Sequence, residues 1–219
     1  MTVIAIDGPA GAGKSTVGRA VASALGWRFV DTGAMYRSVA LVALDRGVEL
    51  GDGPALERLA ATLRIDATTG STTVDDADVT RRIRDADVTR AASRVAAHPG
   101  VRRVLTAAQR EVAARRDVVM EGRDIAAVVA PDADVKIFLT ASLPQRARRR
   151  ARQLQLDADP VLLQELERSL AARDEADAAR AASPFARAPD AVLVDSTDMD
   201  LNAVVAAVLE ATRAVRDDR

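Results

Sequence analysis

Apolar positions along this chain gather in short compact runs, and five of them, residues 3–7, 28–31, 118–121, 135–139 and 192–195, predict buried strands. Longer stretches with helical spacing separate these runs. Strands that are apolar throughout and alternate with helices predict one parallel sheet covered on both faces, an α/β fold. Gly26 predicts the end of the helix that follows the first strand, and Ser196 or Thr197 a cap for a last helix over 201–213. Residues 32–117, between the second and third strands, are too many for a single crossover helix. Inside them "LRIDATTGSTTVDDADVT" alternates on either side of Thr69-Gly70-Ser71, which predicts a hairpin. Helices over 89–97 and 101–115 follow, broken at Pro99-Gly100. This segment reads as an insertion that covers a substrate.

Composition narrows the chemistry. A chain of 219 residues buries a sizeable core, and one domain with appendages is expected. The absence of cysteine excludes disulfides, thiolate metal sites and cysteine catalysis. The longest apolar stretch, near 39–44, is too short to span a bilayer, and the first residues lack the layout of a signal peptide, so a soluble cytoplasmic protein is expected. A net charge of -1 argues against a polyanion binder as a whole. Of the 31 basic residues only Lys14 and Lys136 are lysines. A chain that writes arginine almost everywhere has a chemical reason for a lysine at 14, where a slim point charge fits and a forked guanidinium does not.

Lys14 lies in "GPAGAGKST", which fits G-x-x-x-x-G-K-[ST] between a strand and a helix. In such a loop the backbone from Gly8 through Pro9, Ala10, Gly11, Ala12 and Gly13 to Thr16 cradles phosphates, helped by the positive end of the helix. Lys14 reaches the transferring phosphoryl and Ser15 ligates Mg²⁺, so the donor is a nucleoside triphosphate. With two lysines in the chain there is no Asn-Lys-x-Asp guanine reader, and the glycine-rich signature of transporter ATPases is missing. A small kinase remains.

Acceptor ligands gather at the carboxyl ends of the strands, where "VDTGAMYR" and "VVMEGRD" fall. The first carries Asp31 and Thr32, for which helix capping competes with a substrate role, and Tyr36 and Arg37; the second carries Glu121, Arg123 and Asp124. Further along, Leu162, Leu166 and Leu170 share a helical stripe with Arg173, Asp177 and Arg180. Charges on a buried-facing stripe line a cleft, the alternative being a solvated Arg–Asp–Arg ladder. In "QRARRRARQ" the arginines 146, 148, 149, 150 and 152 read as a lid over triphosphate oxygens, with some of them solvated. An RNA-binding regulator is the rival from another class, weakened by the acidic balance and the scarcity of aromatics. His98 receives no role. A monophosphate acceptor is already anionic at pH 7, so the site needs arginines and Mg²⁺ rather than a general base.

The ordered set "IDGPAGAGKST", "DTGAMYR", "AASRVAAHPGVR", "GRD" before "VKIFL", "RARRRARQLQ", and "RDEADAAR" before Ser183-Pro184 resembles the bacterial cytidylate kinases nearly end to end. The resemblance implies a P-loop NTPase fold with a five-stranded parallel sheet, in one domain with core segments 1–62, 104–144 and 161–219. It also implies a monophosphate-binding insert over 63–103 with a small antiparallel sheet, and a helical lid over 145–160. The implied reaction is transfer from MgATP to CMP or dCMP. Residues matching Ser93, Arg102 and Asp124 would read cytosine, which needs donors for O2 and N3 and an acceptor for N4. Those matching Arg173 and Asp177 would approach the sugar, with Arg37, Arg123 and Arg180 on the acceptor phosphate and Thr32 and Tyr36 beside them. Lid arginines matching Arg146, Arg149 and Arg150 would close over ATP, and Lys14, Arg123, Arg173 and Arg180 would serve catalysis. A related kinase for UMP, dTMP or shikimate is the nearest rival. Glu121 stands where aspartate is common, Thr32 where serine is frequent, and Ser15 where some relatives carry glycine. No nucleic acid or membrane partner is expected, and a monomer is.

Overall fold

The computed structural model describes residues 2–68, 70–115, 117–156, 159–179 and 185–217. Eight strands and eight α-helices follow one another as β1 (Val3–Asp7), α1 (Lys14–Leu25), β2 (Arg28–Asp31), α2 (Thr32–Asp45), α3 (Gly53–Thr62), β3 (Ile65–Asp66), β4 (Thr73–Val74), β5 (Ala77–Asp78), α4 (Ala86–Val95), α5 (Pro99–Ala113), β6 (Val118–Gly122), β7 (Val135–Thr140), α6 (Leu143–Gln153), α7 (Pro160–Ala178), β8 (Val192–Asp195) and α8 (Leu201–Asp217). A 3₁₀ turn over Arg82–Arg84 precedes α4, and a π-helical turn over Ile125–Val129 follows β6.

The five predicted strands form one sheet in the order β2-β6-β1-β7-β8, every neighbour parallel. Its faces explain the unbroken apolar runs. Ile4, Ile6, Val119 and Ile137 point to α1 and α8, where Val17, Val21, Val204 and Val208 meet them. Ala5, Val118 and Met120 point the other way, onto Ile125, Val129 and Ala191. A sheet buried on both sides has no polar face to alternate with.

The long insertion builds a second core. Helices α2 to α5 close around Leu56, Ile83, Val88, Val95, Val101 and Leu105, all essentially inaccessible. The predicted hairpin is the β3–β4 pair, with Ile65 opposite Val74, and β5 adds a third antiparallel strand. Thr69, at the centre of the predicted turn, lies outside the described residues.

Some boundaries and one cap differ from the sequence reading. Pro99 opens α5 at its first turn instead of lying in a break before it, because its missing N–H is not needed there. The last helix is capped by Asp200, whose carboxylate accepts the Ala203 N–H at 2.8 Å. Ser196 instead donates to the Thr140 carbonyl, and Thr197 bonds Asp195. Gly26 closes α1 in the left-handed region, as expected, with φ 69°.

Candidate active site

The glycine-rich turn runs from the carboxyl end of β1 into α1. Gly8 cannot carry a side chain, since a Cβ there would lie 1.9 Å from the Leu139 carbonyl oxygen. Lys14 folds back over the turn, its Nζ donating to the Gly8 and Pro9 carbonyls at 2.8 and 2.9 Å. Burial and the charge of Arg123 lower the Lys14 pKa to about 7, against the pull of Glu121 and Asp7. Ser15 donates from Oγ to Glu121 Oε1 at 2.5 Å. Burial, then the neighbouring Asp31, raises the Glu121 carboxyl.

Two adjoining clefts open from this turn. One is walled by Ala12, Gly13, Thr16, Arg149 and Arg150, together with Arg19, Arg152 and Ser196. The other gathers Thr32, Tyr36, Arg37, Ser93, Arg102 and Arg123, and is completed by Asp124, Arg173 and Asp177. Gly11, Lys14, Ser15, Arg84 and Arg150 border both. The second cleft therefore unites residues from β2, α2, α4, α5, β6 and α7, as the carboxyl-end rule requires.

Among the described residues, seven cationic side chains line that cleft against four acidic ones. Asp31 does both things its sequence allowed: it caps α2 through the Ala34 N–H at 2.8 Å and pairs with Arg37 at 2.9 Å. Burial opposes its ionisation, but Arg37, the Ala34 N–H and Arg84 together hold its pKa below the ordinary value. Thr32 donates to the Glu121 carbonyl at 2.7 Å. Asp177, 2% exposed, accepts from Arg123 Nε at 2.8 Å. Arg102 pairs with Asp124 where both are buried, and its guanidinium lies 5.6 Å from the centre of the Tyr36 ring. Asp7, at the end of β1, accepts the Ile125 and Ala126 N–H groups at 2.9 and 2.8 Å and so fixes the segment that carries Arg123 and Asp124. Burial raises the Asp7 pKa to about 6.

Two guanidiniums have work left over. The Nε atoms of Arg37 and Arg173 are buried with no hydrogen-bond partner among the described residues. Burial and the charge of Arg123 bring the Arg173 pKa down to about 10. Buried donors of this kind call for an acceptor brought by a ligand, and an anion suits them best.

The α7 stripe is a cleft wall: Leu170 is buried, Leu162 and Leu166 are half-buried, and Arg173 and Asp177 continue the same side into the cleft. Arg180 lies outside the described residues. The lid arginines divide. Arg149 donates to the Ala12 carbonyl at 3.0 Å and to the Ser196 carbonyl at 2.6 Å, and Arg150 borders both clefts. Arg148 and Arg152 are exposed. Arg146 lines neither cleft; it is buried against the Ala10 and Ala141 carbonyls and Asp174. Its helical register points it into the protein. Arg84, which borders both clefts from the insertion, was not singled out because nothing in "RRIRD" marks one arginine above its neighbours.

A parallel sheet, a phosphate turn at its centre and a second cleft rich in arginine define a P-loop kinase. The fold is shared with a shikimate kinase from Bacteroides thetaiotaomicron, with a TM-score of 0.53 at 16% identity over 97% of this chain and 98% of that one. The sequence model of the cytidylate kinase family matches residues 4–214. The chain is 47% identical to the cytidylate kinase of Solibacter usitatus over 97% of its length and 92% of that protein, and 46% identical to that of Pelotomaculum thermopropionicum over 97% and 96%. It belongs to the cytidylate kinase family.

Proposed function

We propose that the protein transfers the terminal phosphoryl group of MgATP to CMP or dCMP, giving CDP or dCDP and ADP. The observation that carries the reading is one arginine-rich cleft that holds two buried guanidinium nitrogens with no partner among the described residues and, on its wall, the paired Arg102 and Asp124. In this reading Asp124 accepts from the N4 amine while Arg102 and Ser93 donate to N3 and O2. Uracil puts a carbonyl oxygen where Asp124 sits and is repelled. Arg37, Arg123 and Arg180 hold the acceptor phosphate, and Arg173 and Asp177 face the sugar.

No general base is invoked, because the attacking oxygen is already anionic. The burden falls on holding two anions in line, which positive groups at the junction of the clefts do by offsetting their repulsion. Lys14 turns from its loop carbonyls to the transferring phosphoryl, and Arg123, Arg173 and Arg180 follow the charge as it moves. Arg149 and Arg150 stand over the donor phosphates; Arg146 holds the loop in shape. The oxygen donors of Ser15 and Glu121 suit a hard cation, and Mg²⁺ is ordinarily held by one or two protein oxygens together with substrate phosphates. Bound there, Mg²⁺ supplies further neutralisation of the phosphate charge.

The reading includes a monomer acting in the cytoplasm without nucleic acid. Among the described residues no helix is long and apolar enough to cross a membrane. The test is product identification: CMP and MgATP incubated with the enzyme yield CDP and ADP in equal amounts by ³¹P NMR, and nothing when magnesium is chelated. Release of inorganic phosphate in place of CDP would refute it.

A further inference from the structure

The Ala10 peptide, on the rim of the phosphate turn, is gripped by two helices far away in sequence. Its N–H donates to Asp174 Oδ1 at 3.1 Å, and its carbonyl accepts from Arg146 Nη1 at 3.0 Å. The same Arg146 nitrogen pairs with Asp174 Oδ2 at 2.5 Å, closing a ring of three residues. The Ala10 methyl is buried with Ala147 of α6 and Leu170 of α7. Asp174 sits on α7 directly after Arg173 and one turn before Asp177, both of which line the arginine-rich cleft.

We infer that Asp174 is a positioning residue that ties the ATP-binding turn to the helix presenting Arg173 and Asp177, so that filling either cleft strengthens binding in the other. The inference rests on the proposed function, which places ATP on the turn and CMP against α7. The physical basis is shared order. A loop peptide bonded at both its N–H and its C=O cannot settle around a phosphate without fixing α7 as well. The second ligand then meets a helix already in place and loses less conformational freedom on binding. A carboxylate is suited to this because its two oxygens serve two partners at once, the Ala10 amide and the Arg146 guanidinium.

The experiment is calorimetric titration of CMP into the enzyme, with and without saturating Mg²⁺ and β,γ-methylene-ATP, for wild type, Asp174→Ala and Asp174→Asn. In wild type the analogue tightens CMP by about fivefold or more, the lower range of ordinary site–site coupling. In Asp174→Ala the factor falls below about twofold while CMP affinity without the analogue changes little, a pattern that general loosening of the fold does not produce. Asp174→Asn keeps an acceptor for the Ala10 amide and loses the charged contact, so its factor lies between the two. If Asp174→Ala does not fold, Asp174→Asn decides by the same measure. Undiminished coupling in a folded Asp174→Ala, or in Asp174→Asn where only that variant folds, overturns the inference, as does a wild type with none. CMP that binds without coupling removes this inference alone; CMP that does not bind removes the proposed function with it.

Discussion

The hydroxyl of Ser15 donates to the carboxylate of Glu121 at 2.5 Å, joining the first turn of α1 to the carboxyl end of β6. The contact crosses the boundary between the two clefts, and the Glu121 carbonyl is held in turn by Thr32. Glu121→Ala leaves the hydroxyl without this partner. Its kcat falls by about 10–100-fold and the Mg²⁺ concentration for half-maximal rate rises, the usual cost of losing the support of a metal ligand, the role proposed above for Ser15. Glu121→Asp, shorter by a methylene, retains more activity. A magnesium titration of the steady-state rate checks this, and an unchanged magnesium requirement in Glu121→Ala would contradict it.

Arg102 and Asp124 are buried together, so each neutralises the other as well as lining the arginine-rich cleft. Arg102→Ala strands a buried carboxylate and destabilises the fold by about 3 kcal/mol, which lowers Tm by about 6–12 °C in a chain of this size. The double variant Arg102→Met/Asp124→Leu recovers most of that loss, since a buried ion pair exchanges well for apolar packing. It does not recover turnover of CMP. Thermal melts and initial rates on the same preparations separate the two effects.

Asp177 is nearly inaccessible and holds Arg123 by its Nε. Removing it in Asp177→Ala releases a guanidinium from the acceptor cleft, at a cost of about 2–3 kcal/mol, or roughly 30–150-fold in kcat/KM for CMP. The dissociation constant of MgATP stays within about threefold of wild type, because the donor cleft is walled by other residues. A large loss of ATP affinity would mean that α7 serves the donor and not the acceptor.

Lys14 titrates near 7 in the free protein because burial and Arg123 disfavour its charge. Triphosphate favours the charged form, so the bound pKa is higher, and between the two values binding takes up a proton. ATP affinity therefore declines as pH rises above 7, by at most about tenfold per unit. Calorimetry at pH 8 in HEPES and in Tris, whose ionisation enthalpies differ, reads the uptake directly. Binding without proton exchange at pH 8 would show Lys14 already charged in the free protein.

Strands and the phosphate turn were legible because their signals are local: an apolar run for a sheet buried on both faces, and fixed glycine and lysine spacing for the turn. Arg173 and Asp177 were legible from helical period, since Leu170 fixes which side of α7 faces inward. The roles of Arg146 and Asp174 were not, because they depend on how α6 packs against the loop, and five arginines in one short run look alike in sequence. Asp200 displaced the expected cap, and Pro99 the expected helix start, for a similar reason. Several residues in each stretch can cap, and the path of the chain selects among them.

Initial rates of ADP formation from MgATP across the nucleoside monophosphates test the central claim most directly. CMP and dCMP should give kcat/KM values well ahead of UMP, with AMP, GMP and dTMP negligible. Equal turnover of AMP and CMP would contradict the account, because adenine shares the amine and ring-nitrogen acceptor of cytosine but lacks its O2 acceptor and carries a second ring.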